Sequence, residues 1–435
     1  MPYDSGNPSA AIFSKADLTI TGGGKLTVTS KFNDGITSKD DFKMTDGTLS
    51  INAVGDGIVG KDLLAIKDGN ITINAGKDGM RSTNDTDENT GNVVIEGGIF
   101  NITAASDGIQ AYDLLQIDGG TYNIITGGGY TNSNTNIGNF GGRQQDSTTL
   151  ASDTVSIKAL KGSQSLIIND GSFNISSAND AIHANGDITI SGGSLTIQAN
   201  DDAIHSDTEI NITAGTIVIK DCYEAIEAAN ITVDNGNIDL TSSDDGFNIN
   251  DSSGLLTIND GKIYINAGGD GLDSNNSIKV TGGTVYVDGP INNGNGAIDY
   301  NTSFEITGGT LIAAGSSGMA EVSESGTQPS LLMYYSSQQS AGTAITLKDN
   351  SGNVIVTYTP TKQYTSVAIS SPKLATGSTY TLYSGNTKVV TFELTDTVTY
   401  LNESGVTTKQ SIGGGGNNGG FGGDRMGGGP GGSGR

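Results

Sequence analysis

The chain has no tryptophan, one cysteine and two histidines in 435 residues, and its 22 Lys and Arg face 47 Asp and Glu. Each scarcity closes a class of explanation. A single thiol, Cys222, cannot build a disulfide framework and reads as a packed side chain. Without tryptophan there is no indole platform on which a flat ligand could lie. A formal charge of −25 with no basic stripe repels phosphate backbones, which excludes nucleic acid as a partner. No stretch of 18 apolar residues is available to cross a bilayer as a helix. No Ser–His–Asp pattern is evident, and no run of helical spacing competes with the periodicity described next.

What the chain has is glycine, 66 residues of it, and one phrase that returns about every 22 residues. The phrase is an acid, then Gly or Ala, then a large apolar residue. Asp34-Gly35-Ile36, Asp56-Gly57-Ile58, Asp78-Gly79-Met80, Asp180-Ala181-Ile182, Asp202-Ala203-Ile204, Glu224-Ala225-Ile226, Asp245-Gly246-Phe247 and Asp270-Gly271-Leu272 all obey it. After each anchor comes strand, Gly turn and strand, as from Ile190 to Leu195 and from Val280 to Val285. Alternation at period two, as in Leu49-Ser50-Ile51-Asn52-Ala53, marks strands with one buried face. A unit this short holds three small strands and no helix. The fold predicted is therefore all-β, a right-handed parallel β-helix filled by stacked Ile, Leu, Val and Phe.

Anchors from Ile12 to Ile298 give about twelve coils and a β-helix spanning residues 1–315. A short insertion near Ser82 to Asn92 and a longer one from Gly127 to about Ser156 break the spacing. Beyond 315 the period vanishes while alternation continues, so residues 316–410 are expected to form a small β cap that covers the open end. Residues 411–435 are mostly Gly and are expected to be a flexible tail.

Stacking turns repeats into columns. Lys158, Asp180, Asp202, Glu224, Asp245 and Asp270 fall at one position, with Asp201 and Asp244 as second acids beside them. Three residues on, Lys161, His183, His205, Glu227, Asn248, Asp273 and Asp299 form an outer column. Carboxylates ~4.8 Å apart repel by roughly 3 to 4 kcal/mol per pair at an effective dielectric near 20. Clustered Asp, Glu and Asn oxygens on rigid turns are what Ca2+ prefers, and the expected ligands are Asp180, Asp201, Asp202, Glu224, Glu227, Asp244, Asp245, Asn248, Asp270 and Asp273. In the N-terminal coils, Asp34, Asp56 and Asp78 are expected to accept the amides of their own turns. There Lys15, Lys39 and Lys61, next to Asp40 and Asp62, are expected to form a salt-bridge ladder.

Several motifs together resemble a known family. They are Ala11-Ile12-Phe13-Ser14-Lys15, Tyr223-Glu224-Ala225-Ile226-Glu227, Asp244-Asp245-Gly246-Phe247-Asn248, Gly269-Asp270-Gly271-Leu272-Asp273 and Asn295-Gly296-Ala297-Ile298-Asp299-Tyr300. The resemblance is to secreted, clostridial-type bacterial carbohydrate-binding β-helix proteins, similar in fold to calcium-dependent pectate lyases. It implies calcium binding and affinity for acidic plant cell-wall polysaccharide, polygalacturonate or pectin, with cellulose as a further candidate. It also implies a secreted or cell-surface location, with any export signal upstream of Met1. Substrate contacts are expected from Lys158, Lys161, His183, His205, Tyr223, Asp299 and Tyr300. Two alternatives use the same chain: β-elimination with Lys161 or Lys158 as base, or a surface adhesin or filament subunit assembling through the open N-terminal coil. A monomer is otherwise expected.

Overall fold

The computed structural model describes residues 9–131 and 156–410, so the Gly-rich tail and most of the longer insertion lie outside the described residues. Among the described residues every regular element is a strand. One turn is typified by Asp34–Ser38, Phe42–Met44 and Thr48–Ala53, with Gly-containing bends between them. Each strand pairs in parallel with its counterpart one repeat later, as in Ile36 with Ile58 and Leu49 with Ile71. The third strands run from Lys25–Ser30 to Thr310–Gly315 without interruption, giving twelve turns and a right-handed parallel β-helix. The pair Ser325–Gly326 begins a thirteenth turn against Ser303–Ile306.

Alternation decides what points inward. Thr48–Ala53 buries Leu49, Ile51 and Ala53, and the same positions are filled in turn after turn. An aromatic ladder measures the rise directly: Phe100, Tyr122 and Phe173 stack nearly parallel, with ring centroids 4.7 and 4.6 Å apart. Tyr122 is buried, and its hydroxyl stays satisfied by donating to the Gly119 carbonyl at 2.7 Å. Glycine is required where the chain bends before the third strand. At Gly193 φ is +85°, and a Cβ there would stand 2.8 Å from the Gly171 carbonyl oxygen.

The cap differs in pairing. Tyr364–Ser370 adds antiparallel to Thr310–Gly315, followed by Ser330–Gln339 and Val398–Asn402 in the same sheet. A four-stranded antiparallel sheet, containing Ile345–Asp349, Val354–Tyr358, Thr379–Ser384 and Thr387–Glu393, packs a second core around Leu347, Leu382 and Phe392. The hairpin at Asp349 to Gly352 closes as its Asn, Ser and Gly residues predict, with Asp349 Oδ1 accepting from the Ser351 and Asn353 amides. The last β-helix strand thus ends in a partner and not as an open edge. Replacing Tyr122 by Ala removes the middle ring of the ladder and is expected to lower stability by about 3–5 kcal/mol in denaturant unfolding, whereas Tyr122→Phe should cost far less.

Candidate functional site

The acids preceding each anchor are placed by the turn itself, and their surroundings change along the stack. In the N-terminal turns the partner is not the residue's own turn, as expected, but the next one. Asp34 Oδ1 accepts the Asp56 amide, Asp56 Oδ1 the Asp78 amide and Asp78 Oδ1 the Asp107 amide, each at 3.1 Å. Asp107 Oδ1 likewise accepts from Lys158 N at 2.7 Å. These side chains run along the stack axis and staple successive turns. Burial pushes Asp56 up to about 6, against the pull of Arg81, which stands 2.9 Å from Asp56 and 3.3 Å from Asp78. In the lysine column beside them Lys61 meets Asp62 at 3.3 Å. Asp17, Asp40 and Asp41 converge nearby, with one oxygen from each within 4.8 Å of the others.

The middle turns carry their own cations. Lys158 Nζ is held by Asp180 Oδ2 at 2.5 Å and by Asn179. Lys161 Nζ donates to Ser156 Oγ at 3.0 Å. Burial works upward on Asp180, but the hydrogen bond from His183 and the Lys158 ammonium hold it below the usual carboxylate range. His205 sits 2.8 Å from Asp202 and 3.3 Å from Glu227. Burial opposes its charge, yet those two carboxylates push it up to about 11. Burial, then neighbouring acids, push Asp201 and Glu224 upward.

The C-terminal turns are different: among the described residues no Lys, Arg or His pairs with Asp244, Asp245, Asp270, Asp273 or Asp299. One oxygen from each of Asp245, Asp270 and Asp273 lies within 4.8 Å of the other two. Burial first, and then the charges of Asp244, Asp270 and Asp273, push Asp245 up to about 9. Burial and the adjoining acids likewise push Asp270 and Asp273 up to about 7. Asp245 Oδ1 accepts the Asp270 amide at 2.6 Å. Asn248 donates from Nδ2 to Glu224 at 2.8 Å, which leaves its Oδ1 buried with no partner among the described residues. Gly269 completes the cradle, because a Cβ there would stand 2.3 Å from Asp244 Oδ1 and 2.4 Å from Asp245 Oδ1. Crowded carboxylates, a spare amide oxygen and no internal cation fit a hard, oxygen-liganded ion such as Ca2+.

The strand register places Asp273 beside Asp299 and Asn248 beside Asp273, as the columns predict. Sequence reading missed Glu321 on the unfinished turn. Burial and the Asp299 charge push it up to about 7, and its Oε2 is buried without a partner among the described residues. The signal was Met319-Ala320-Glu321, a weak echo of Ala297-Ile298-Asp299. Tyr223 is 38% exposed beside these acids. Tyr300 is less available, since it packs edge-on to Phe304 and donates to the Val322 carbonyl at 3.2 Å. Tyr130 is committed to Asp221, and Cys222 is fully buried. The crevice bounded by Ala297, Ile298, Ala313, Ala320, Glu321 and Leu332 has no room for even a water molecule.

A family model described as carbohydrate-binding domain-containing protein matches the chain twice, over residues 2–203 and 193–391. A curated protein with the same description, from Acetivibrio thermocellus, is 44% identical over 52 residues, which is 12% of this chain and 18% of that protein. No solved structure matches. No helix among the described residues is long and apolar enough to cross a membrane.

The raised carboxyls set a pH dependence. The folded state keeps protons that the unfolded chain gives up near pH 4, so chelator-treated protein should lose stability as pH rises from about 5 towards 9. Thermal unfolding in EGTA across that range should show the decline, and Asp245→Asn should flatten it.

Proposed function

We propose that this chain, which belongs to the carbohydrate-binding domain-containing protein family, binds acidic plant cell-wall polysaccharide outside the cell, through calcium held on the Asp245, Asp270 and Asp273 face. The observation that carries the reading is the convergence of those three carboxylates, within 4.8 Å of one another, with Asn248 Oδ1 left unpartnered beside them. A protein at −25 repels polygalacturonate. Bound calcium supplies positive charge that protein and sugar carboxylates can share. Tyr223 offers an exposed ring at the same edge, and a polymer lying along the stack passes the outer column from Asp299 and Asp273 towards His205, His183 and Lys161.

Binding without cleavage is the better supported form of this activity. A β-elimination base must reach the proton beside the metal-bound uronate in a neutral state. Lys158 is held by Asp180 and Asn179, and Lys161 by Ser156. Both lie four turns from Asp245, roughly 19 Å at the spacing of stacked strands.

Incubation of the purified chain with insoluble polygalacturonate should give retention in Ca2+ that is lost in EGTA. Asp270→Asn and Asp273→Asn should each weaken retention about tenfold or more, with no rise in the absorbance of unsaturated product. Retention that ignores chelator would contradict the calcium link. A steady growth of unsaturated product would replace binding with lyase chemistry.

A further inference from the structure

The outer column that ends in carboxylates carries both of the chain's histidines, on the two turns after Lys161. His183 and His205 pair in register on the strands Ile182–Ala184 and Ile204–Ile212, with ring centroids 5.1 Å apart. Their side chains are 14% and 15% exposed, so solvent reaches them while neighbours hold them in place. Each presents Nδ1 to the carboxylate three residues earlier, at 3.0 Å for His183 and Asp180 and 2.8 Å for His205 and Asp202.

His205 Nδ1 also lies 3.3 Å from Glu227 Oε2. One ring nitrogen carries at most one hydrogen, so a single N–H faces two carboxylates and can serve only one of them well. A divalent ion can serve both. Two sets of ligand atoms overlap here, Asp180 with His183 and His205, and Asp202 with His205 and Glu227, each set lying within 4.8 Å. The donor chemistry differs from that of the C-terminal face. Imidazole nitrogen suits zinc, copper and nickel, whereas calcium takes oxygen.

We propose that the His183 and His205 rung is a binding site for one divalent transition ion of the zinc class, with Asp180, Asp202 and Glu227 as its carboxylate partners. The site is separate from the all-oxygen cluster at Asp245 and does not depend on what that cluster binds. Asp180 divides its charge between this rung and Lys158, which places the centre of the site towards His205.

The test is a titration of untagged, chelator-stripped full chain with Zn2+, following the ring-nitrogen resonances of its two histidines. One equivalent should shift the resonances of both rings, and millimolar Ca2+ should not reverse the shift. In calorimetry, His183→Gln and His205→Gln should each weaken Zn2+ binding about tenfold or more. Resonances unmoved by equimolar Zn2+ in the unaltered protein would overturn the proposal without reference to any variant. So would displacement by Ca2+, or undiminished affinity in His205→Gln.

Discussion

Successive turns are hydrogen-bonded to one another in register, broken only locally by shifts after Ile197 and Ser206 among the described β-helix strands, and everything else in the molecule depends on that. Backbone donors such as Gly35 N and Gly57 N bond the next turn's carbonyls at 2.8 and 2.9 Å. The ring spacings of 4.7 and 4.6 Å in the Phe100, Tyr122 and Phe173 ladder show the same rise in the core. A side chain that repeats in sequence must therefore repeat in space at that distance. Apolar columns gain from this through burial and close packing. Acidic columns cannot spread apart, and their repulsion has to be met locally.

One column meets it in three ways. Near the N-terminus the oxygens bind the next turn's amides, and Arg81 adds charge. In the middle turns Lys158 and His205 supply cations from within. Towards the C-terminus Asp245 and Asp270 still accept the amides of the next turn, but among the described residues no cation pairs with Asp245, Asp270 or Asp273, and burial with the crowding of like charges pushes these carboxyls up. A group of oxygens that retains protons near neutral pH is also one that exchanges them for a metal ion. On the proposed reading, structural and ligand-binding roles separate along one continuous surface, without any change of fold.

The architecture was legible because period and alternation are properties of neighbouring residues in sequence. Asp34-Gly35-Ile36 and its copies fixed the register, and the Lys161, His183, His205, Glu227 column stands in the strand pairing as the alignment predicts. What could not be read were partners chosen by side-chain direction. The acids near Asp34 turned along the axis to the following turn, where short Asx side chains reach an amide that no local motif announces. Asp17, Asp40 and Asp41 converge across a 24-residue step, longer than the common period. The cap strands Ser330–Gln339 and Tyr364–Ser370 were equally hidden, since their pairing joins segments with no shared repeat.

The most direct test of the account is a crystal structure of the chain grown at saturating Ca2+, with anomalous scattering used to identify the ion. The account predicts a calcium peak within coordination distance of Asp245, Asp270 and Asp273, with Asn248 Oδ1 turned towards it. An ion-free face, its carboxyls paired with one another through shared protons, would contradict it.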